Sequence, residues 1–101
     1  MSSEAFTLST KSQVALKDIY KSTSRDFGDE QADVYLKGFY ETFRTLSEHP
    51  GIGQDVSEYK LGLRRFRYRS HTILYLENDG IVLIYLVLHN HHDVRKHILD
   101  A

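Results

Sequence analysis

Apolar positions change period along the chain, and each change marks an element. Phe6 and Leu8 alternate with Ala5, Thr7 and Ser9, which predicts a short, half-buried first strand. A helix follows. Thr10-Lys11-Ser12-Gln13 has capping-box spacing, in which a hydroxyl accepts from a free first-turn N–H while Gln13 reaches back. Leu16, Ile19, Thr23 and Phe27 then space a core stripe, flanked by Ala15 and Tyr20. Gly28 closes this helix, since glycine takes a left-handed C-cap cheaply, and Asp29 is placed to cap the next. In the second helix Ala32, Leu36, Phe39, Phe43 and Leu46 form a regular apolar seam with Val34, Tyr35 and Tyr40 beside it. It ends at His49-Pro50, because a residue before proline is pushed out of the helical region. So short a connection predicts an antiparallel helical hairpin.

Gly51 through Glu58 reads as a loop, and beyond it the period becomes that of strands. Leu63 to Arg67 and His71 to Leu76 form two strands around a tight Tyr68 to Ser70 turn. Asn78-Asp79-Gly80 signals a second hairpin, because Asp-Gly supplies the positive φ values a two-residue turn needs. Ile81 to Leu88 is continuously apolar, so it belongs inside the sheet, the helical hairpin on one face and other apolar side chains or a partner on the second. Asp93 opens a short terminal helix, Val94 to Leu99. The expected fold class is α+β: β-α-α-β-β-β(-α), an antiparallel helical hairpin packed on a small, mostly antiparallel sheet.

Composition narrows the function classes. The chain has 101 residues, 41% of them hydrophobic and 27% charged, which suits one domain over residues 1–101. There is no cysteine, which excludes a disulfide framework and thiol catalysis and fits a cytoplasmic protein. The start has no basic stretch leading into an apolar run, so no secretory signal is expected. No apolar run approaches the roughly 18 residues of a membrane span. Net charge is -1, but its distribution is uneven. Residues 60–76 hold Lys60, Arg64, Arg65, Arg67 and Arg69 and no acid, while the segments on either side are acidic. A basic stripe in an acidic body points to a specific anionic partner rather than to bulk nucleic acid.

The order and spacing of several runs resemble the ParE branch of the RelE/ParE superfamily of bacterial type II toxins. They are Leu8-Ser9 opening the first helix, Leu16 and Ile19, Phe27-Gly28-Asp29-Glu30-Gln31-Ala32, and Leu46 through Pro50-Gly51-Ile52-Gly53. Gly62-Leu63-Arg64-Arg65-Phe66, Ser70-His71 through Tyr75, and Val87-Leu88-His89 leading to Asp93-Val94-Arg95 complete the set. The resemblance implies a toxin neutralised by a ParD-like antitoxin whose unstructured tail folds onto it. It also implies inhibition of DNA gyrase by trapping the cleaved-DNA complex, with no cofactor, and it leaves open a homodimer or a hetero-oligomer with the antitoxin. Arg67 stands where the family often has proline, His92 where it often has methionine and Ser22 where it often has tyrosine.

Three constellations carry the candidate chemistry. Arg65 and Arg67, two apart on a strand, share a face, with Arg64 and Phe66 on the other. Together with His71 or His92 they give the alternative reading, a ribosome-dependent mRNA endonuclease of the RelE type in which arginines stabilise phosphate charge and a histidine moves protons. Against it, no tyrosine follows Tyr85. The bland reading of the arginines is a charged edge that discourages strand pairing. Arg64, Arg65, Arg67, His89, His92, Asp93 and Arg95 form the expected target-binding set, and the segment Leu88 to Asp100 with the basic strand the expected gyrase-contacting surface.

The histidines His89, His91, His92 and His97 have no closed four-ligand spacing, so no functional metal is expected. Half-exposed tyrosines suit a surface that receives a partner, so Tyr20, Tyr35 and Tyr40, with Arg65 and Arg67, are the expected antitoxin-binding residues. The duller alternative for the tyrosines is a widened core stripe, and for the whole chain a degenerate member retaining only antitoxin binding. Gly51-Ile52-Gly53 lacks the Lys-Ser/Thr of a phosphate loop and reads as a turn.

Overall fold

The computed structural model describes residues 6–90 and 94–99. Its elements are β1 (Phe6–Leu8), α1 (Thr10–Phe27), α2 (Asp29–Glu48), β2 (Gln54–Asp55), β3 (Arg64–Tyr68), β4 (His71–Asn78), β5 (Ile81–His89) and α3 (Val94–Leu99). The strands form one sheet in the order β1-β5-β4-β3-β2. All neighbours are antiparallel except β1 and β5, which run parallel, with the two helices and β2 to β4 between them in the chain. The expected α+β class and the position of β5 inside the sheet are both observed. The expected loop 51–58 contains the additional strand β2, two residues long, which pairs only with Arg64 and Arg65.

One sheet face carries the helical hairpin. Leu16, Phe39, Phe43 and Leu46 are buried there against Phe6, Ile73, Tyr75, Val82, Ile84 and Val87. The other face is covered by the chain itself: Val56 and Leu63 from the β2–β3 connection and Ile98 from α3 bury Leu74, Leu86 and Leu88. This explains the unbroken apolar run of β5, which feeds two cores. It also contains a bulge. Leu74 pairs with Leu86 but Tyr75 with Ile84, leaving Tyr85 as the extra residue.

The bulge explains why the first helix begins where it does. Ser9, not Thr10, is the N-cap: its Oγ accepts from the Ser12 N–H at 3.0 Å and also lies 2.7 Å from the Tyr85 carbonyl, to which it donates. Ser12, fully buried, donates to the Ile84 carbonyl at 2.9 Å. Gln13 reaches back to the Leu8 carbonyl instead of closing a box with Thr10. The cap is shifted by one residue because the serine there also ties α1 to β5.

Phe27, expected in the core stripe, is 74% exposed, and Val34 is 54% exposed. Both sit at the turn end of the hairpin, which leaves their side chains at the surface. Asp29 is the first residue of α2 rather than its cap; Gly28 holds the N-cap position with no side-chain bond, and Asp29 instead accepts a hydrogen bond from Ser24. Gly28 takes φ 93° and ψ 163°, a glycine-only extended conformation rather than the left-handed helical one expected, and its N–H donates to Ser24. The β3–β4 turn is Arg69-Ser70, with Arg69 at φ 53°. The expected capping residue Asp93 lies outside the described residues.

Candidate functional site

Cross-strand partners share a sheet face, so the β3–β4 register sorts the basic stripe. Arg64 pairs with Tyr75, Phe66 with Ile73 and Tyr68 with His71, all on the helical side. Arg65 pairs with Leu74 and Arg67 with Thr72, on the side of the second core. The alternation expected for Arg65 and Arg67 against Arg64 and Phe66 is therefore observed. The same register separates His71 from those two arginines, so the catalytic set Arg65, Arg67 and His71 of the ribonuclease alternative is divided by the sheet. His92, the other proton donor in that reading, lies outside the described residues, as do His91 and the expected target residue Asp93.

On the helical side, Arg64 is engaged in structure. Its Nη1 donates to the Gly53 carbonyl at 2.7 Å, fastening the turn after α2 to β3. Tyr75, buried, completes this joint by accepting from the Gly53 N–H and donating to the Pro50 carbonyl, both at 2.8 Å. Burial pushes its hydroxyl above the ordinary tyrosine range. The Ser57 side chain, then the Ser57 N–H, which donates to Asp55 at 2.8 Å, and Arg64 nearby hold the Asp55 carboxyl below the usual range.

His71 lies at the far end of the sheet in an aromatic cluster. Its Nδ1 is 2.7 Å from the Tyr35 hydroxyl, and its ring meets His89, its cross-strand partner, edge to face at 5.2 Å. Tyr35 stacks on Tyr68, and Arg69 lies over both rings at 5.8 and 5.7 Å. These cation–π contacts and two bonds from Asn90 hold the strained turn: Asn90 Nδ2 donates to the Arg69 carbonyl and its N–H to that of Ser70. The sequence reading missed Asn90 and placed Arg69 only in the basic stripe, not at this turn. The only available signal was a non-glycine residue inside a two-residue turn. Beside this cluster, Phe27, Val34, Tyr35, Arg69 and His71 line an open depression of about 340 Å³.

A second depression, about 420 Å³, runs between the two helices. Leu16, Leu36, Tyr20 and Tyr40 line it with the exposed Lys17 and Lys21, and no acid is among its described lining residues. Tyr20 donates to the Asp33 carboxylate at 2.6 Å, and that acceptor raises its pKa. Tyr40 packs on Phe6 and Phe43 while remaining 37% exposed. Tyr20 and Tyr40 are thus brought together, Tyr35 belongs to the other depression, and Arg65 and Arg67 lie on the opposite face. Arg95 is exposed on α3, and His97 beside it likewise. Among the described residues no group of three metal-ligating side chains comes together, and no helix is long and apolar enough to cross a membrane.

The family model for the ParE toxin of the type II toxin–antitoxin system parDE matches residues 6–94. The chain belongs to the ParE toxin family. It is similar to Toxin ParE1 of Caulobacter vibrioides, 31% identical over 93 residues that cover 92% of this chain and 96% of that protein. Toxin ParE1 of Mycobacterium tuberculosis is 29% identical over 97 residues, covering 95% and 99%. Among solved structures, a chain of the chromosomal ParDE toxin–antitoxin system from P. aeruginosa superposes with a TM-score of 0.71 at 16% identity, over 84% of this chain and 94% of that one. The ParE fold is therefore shared even where the sequence has diverged. The match embraces the helical hairpin, the whole sheet and the first residue of α3, so both depressions and both arginine faces lie within it.

Proposed function

We propose that the chain is the toxin of a parDE-type pair, acting in the cytoplasm without catalysing a reaction: it inhibits DNA gyrase by trapping the cleaved-DNA complex and is neutralised by a ParD-like antitoxin. Family membership over residues 6–94 carries this reading. The division of Arg65 and Arg67 from His71 by the sheet favours it over the ribonuclease, because general acid–base work needs the proton carrier within hydrogen-bond reach of the group it serves. The groove between α1 and α2 suits the antitoxin: apolar residues beside two exposed lysines accept an amphipathic segment with acidic flanks, disordered alone and folding on contact. Arg65, Arg67, Arg95 and the segment from Leu88 onward remain the proposed target surface.

The deciding experiment adds the chain, freed of antitoxin, to purified gyrase with ATP and supercoiled plasmid. Accumulation of linear plasmid is the expected result. A folded sample that leaves gyrase untouched while cutting a translating mRNA would replace this reading with the endonuclease.

A further inference from the structure

Two of the arginines in the basic stripe are spent within the fold: Arg64 holds the Gly53 carbonyl and Arg69 lies over Tyr35 and Tyr68. Arg65 commits its Nε alone, to the Gln54 side chain, and Arg67 makes no such bond among the described residues. Their side chains, with Gln54 and Thr72, line a notch of about 190 Å³ on the sheet face away from the helical hairpin. Among the described residues no carboxylate lines it. Arg65 Nε donates to Gln54 Oε1 at 3.0 Å, which occupies the acceptor of that amide and leaves its NH₂ as a donor. Thr72 Oγ1 donates to Asn90 Oδ1 at 2.8 Å, so its hydrogen is committed away from the arginines. Arg67 makes no hydrogen bond or ion pair among the described residues, and the two-residue strand β2 ends before reaching it. Among the described residues the notch therefore presents two guanidinium groups and an amide, all donors, with no carboxylate lining it beside them.

Size and charge select the ligand. Pockets for whole small molecules run from about 300 to 1,000 Å³, so this smaller notch, lined by donors, suits one anionic group. A carboxylate has two oxygens and one charge and is satisfied by a single guanidinium fork; a terminal phosphate offers three acceptor oxygens and nearly two charges. We propose that Arg65, Arg67 and Gln54 form a binding site for a terminal phosphate, the phosphomonoester carried by a free nucleotide or by the end of a nucleic-acid strand. The edge-guarding use of these arginines explains the charge at Arg67 but not the positioning of Arg65 by Gln54. The proposal stands apart from the gyrase reading, since its test needs only the folded chain and small phosphates.

Methyl phosphate and dimethyl phosphate are titrated into the full chain at pH 8 and constant ionic strength, with binding followed by calorimetry and by the amide spectrum. Saturable binding of methyl phosphate, about tenfold or more tighter than dimethyl phosphate, is expected. Arg65→Gln and Arg67→Gln each weaken it by about tenfold or more, whereas Arg44→Gln, on α2, leaves it unchanged. Should a glutamine variant lose its native circular dichroism, Arg67→Lys keeps the charge without the fork and is expected to bind several-fold more weakly. Non-saturating shifts, equal binding of the two esters, native affinity in the variants, or equally tight binding of a glutamate-rich peptide would each overturn the proposal. Comparing adenosine monophosphate with a 5′-phosphorylated and a 5′-hydroxyl oligonucleotide separates the two sources. Tighter binding of the phosphorylated strand than of the mononucleotide assigns the site to strand ends, equal binding assigns it to nucleotides, and indifference to the 5′-phosphate counts against both.

Discussion

The Ser12 hydroxyl donates to the Ile84 carbonyl at 2.9 Å, tying the first turn of α1 to the bulge of β5. The bond is fully buried at Ser12, and Ile84 also accepts from the Ser9 N–H at 3.0 Å. Ser9 serves the adjacent carbonyl of Tyr85 and caps the helix as well. Two serines three residues apart thus bond the two successive carbonyls at the bulge.

Removing them should have unequal effects. Ser12→Ala leaves Ile84 with its second donor and is expected to cost about 1 kcal/mol. Ser9→Ala removes both the cap and the bond to the Tyr85 carbonyl, so about 2 kcal/mol is expected. Urea unfolding midpoints of the two variants check the order; a larger loss in Ser12→Ala would contradict this account of the joint.

Tyr75 should give the protein an alkaline limit. Its pKa is raised in the fold by burial, so the neutral hydroxyl contributes stability that is fully present below the unfolded value near 10.0 and is lost as pH rises through the higher folded value. Tyr75→Phe, which also leaves the Gly53 N–H without its acceptor, is expected to lose about 1–3 kcal/mol at pH 8. The gap to the native chain should narrow above pH 10, as read from denaturant midpoints at pH 8 and pH 11.

At the acidic end the relevant group is Asp55. Its pKa is lowered by the bonds from Ser57, so its contribution is present above the ordinary value of 3.8 and disappears as pH falls through the folded value. Asp55→Asn should therefore melt lower than the native chain at pH 7, with the gap closing as pH falls below 3.8 through the folded value. Parallel melting curves across that range would show that the carboxylate contributes nothing.

Gly38 illustrates a residue set by a distant neighbour. Alanine in mid-helix normally gains about 1 kcal/mol over glycine, but a Cβ here would strike the hydroxyl of Tyr68, whose ring stacks on Tyr35. Gly38→Ala is expected to destabilise the native chain and to stabilise a Tyr68→Ala background. A double-mutant cycle measures the coupling, and a sum of independent effects would exclude the proposed clash.

Antitoxin capture should depend on the two lysines of the interhelical groove. Lys17→Glu with Lys21→Glu, both at exposed positions, is expected to weaken binding of the cognate antitoxin by about tenfold or more while leaving gyrase trapping intact. Calorimetry against the antitoxin, beside the plasmid assay, separates the two effects.

The helical hairpin, the β4–β5 turn and the interior position of β5 were legible in the sequence, because each follows from a local period or from turn residues whose φ preferences act within a few positions. The sharing of one face by Arg65 and Arg67 was legible for the same reason, since strand alternation is a local property. Tertiary structure decided the rest. Whether Phe27 is core or surface depends on whether anything packs across from it, and at the turn end of the hairpin it remains mostly exposed. Ser9 prevailed over Thr10 as the cap because a carbonyl 76 residues away needed its donor. His71 was parted from the arginines, and Tyr35 from Tyr20 and Tyr40, by sheet register and helix packing, which arise from pairings between distant segments and leave no periodic trace in the chain.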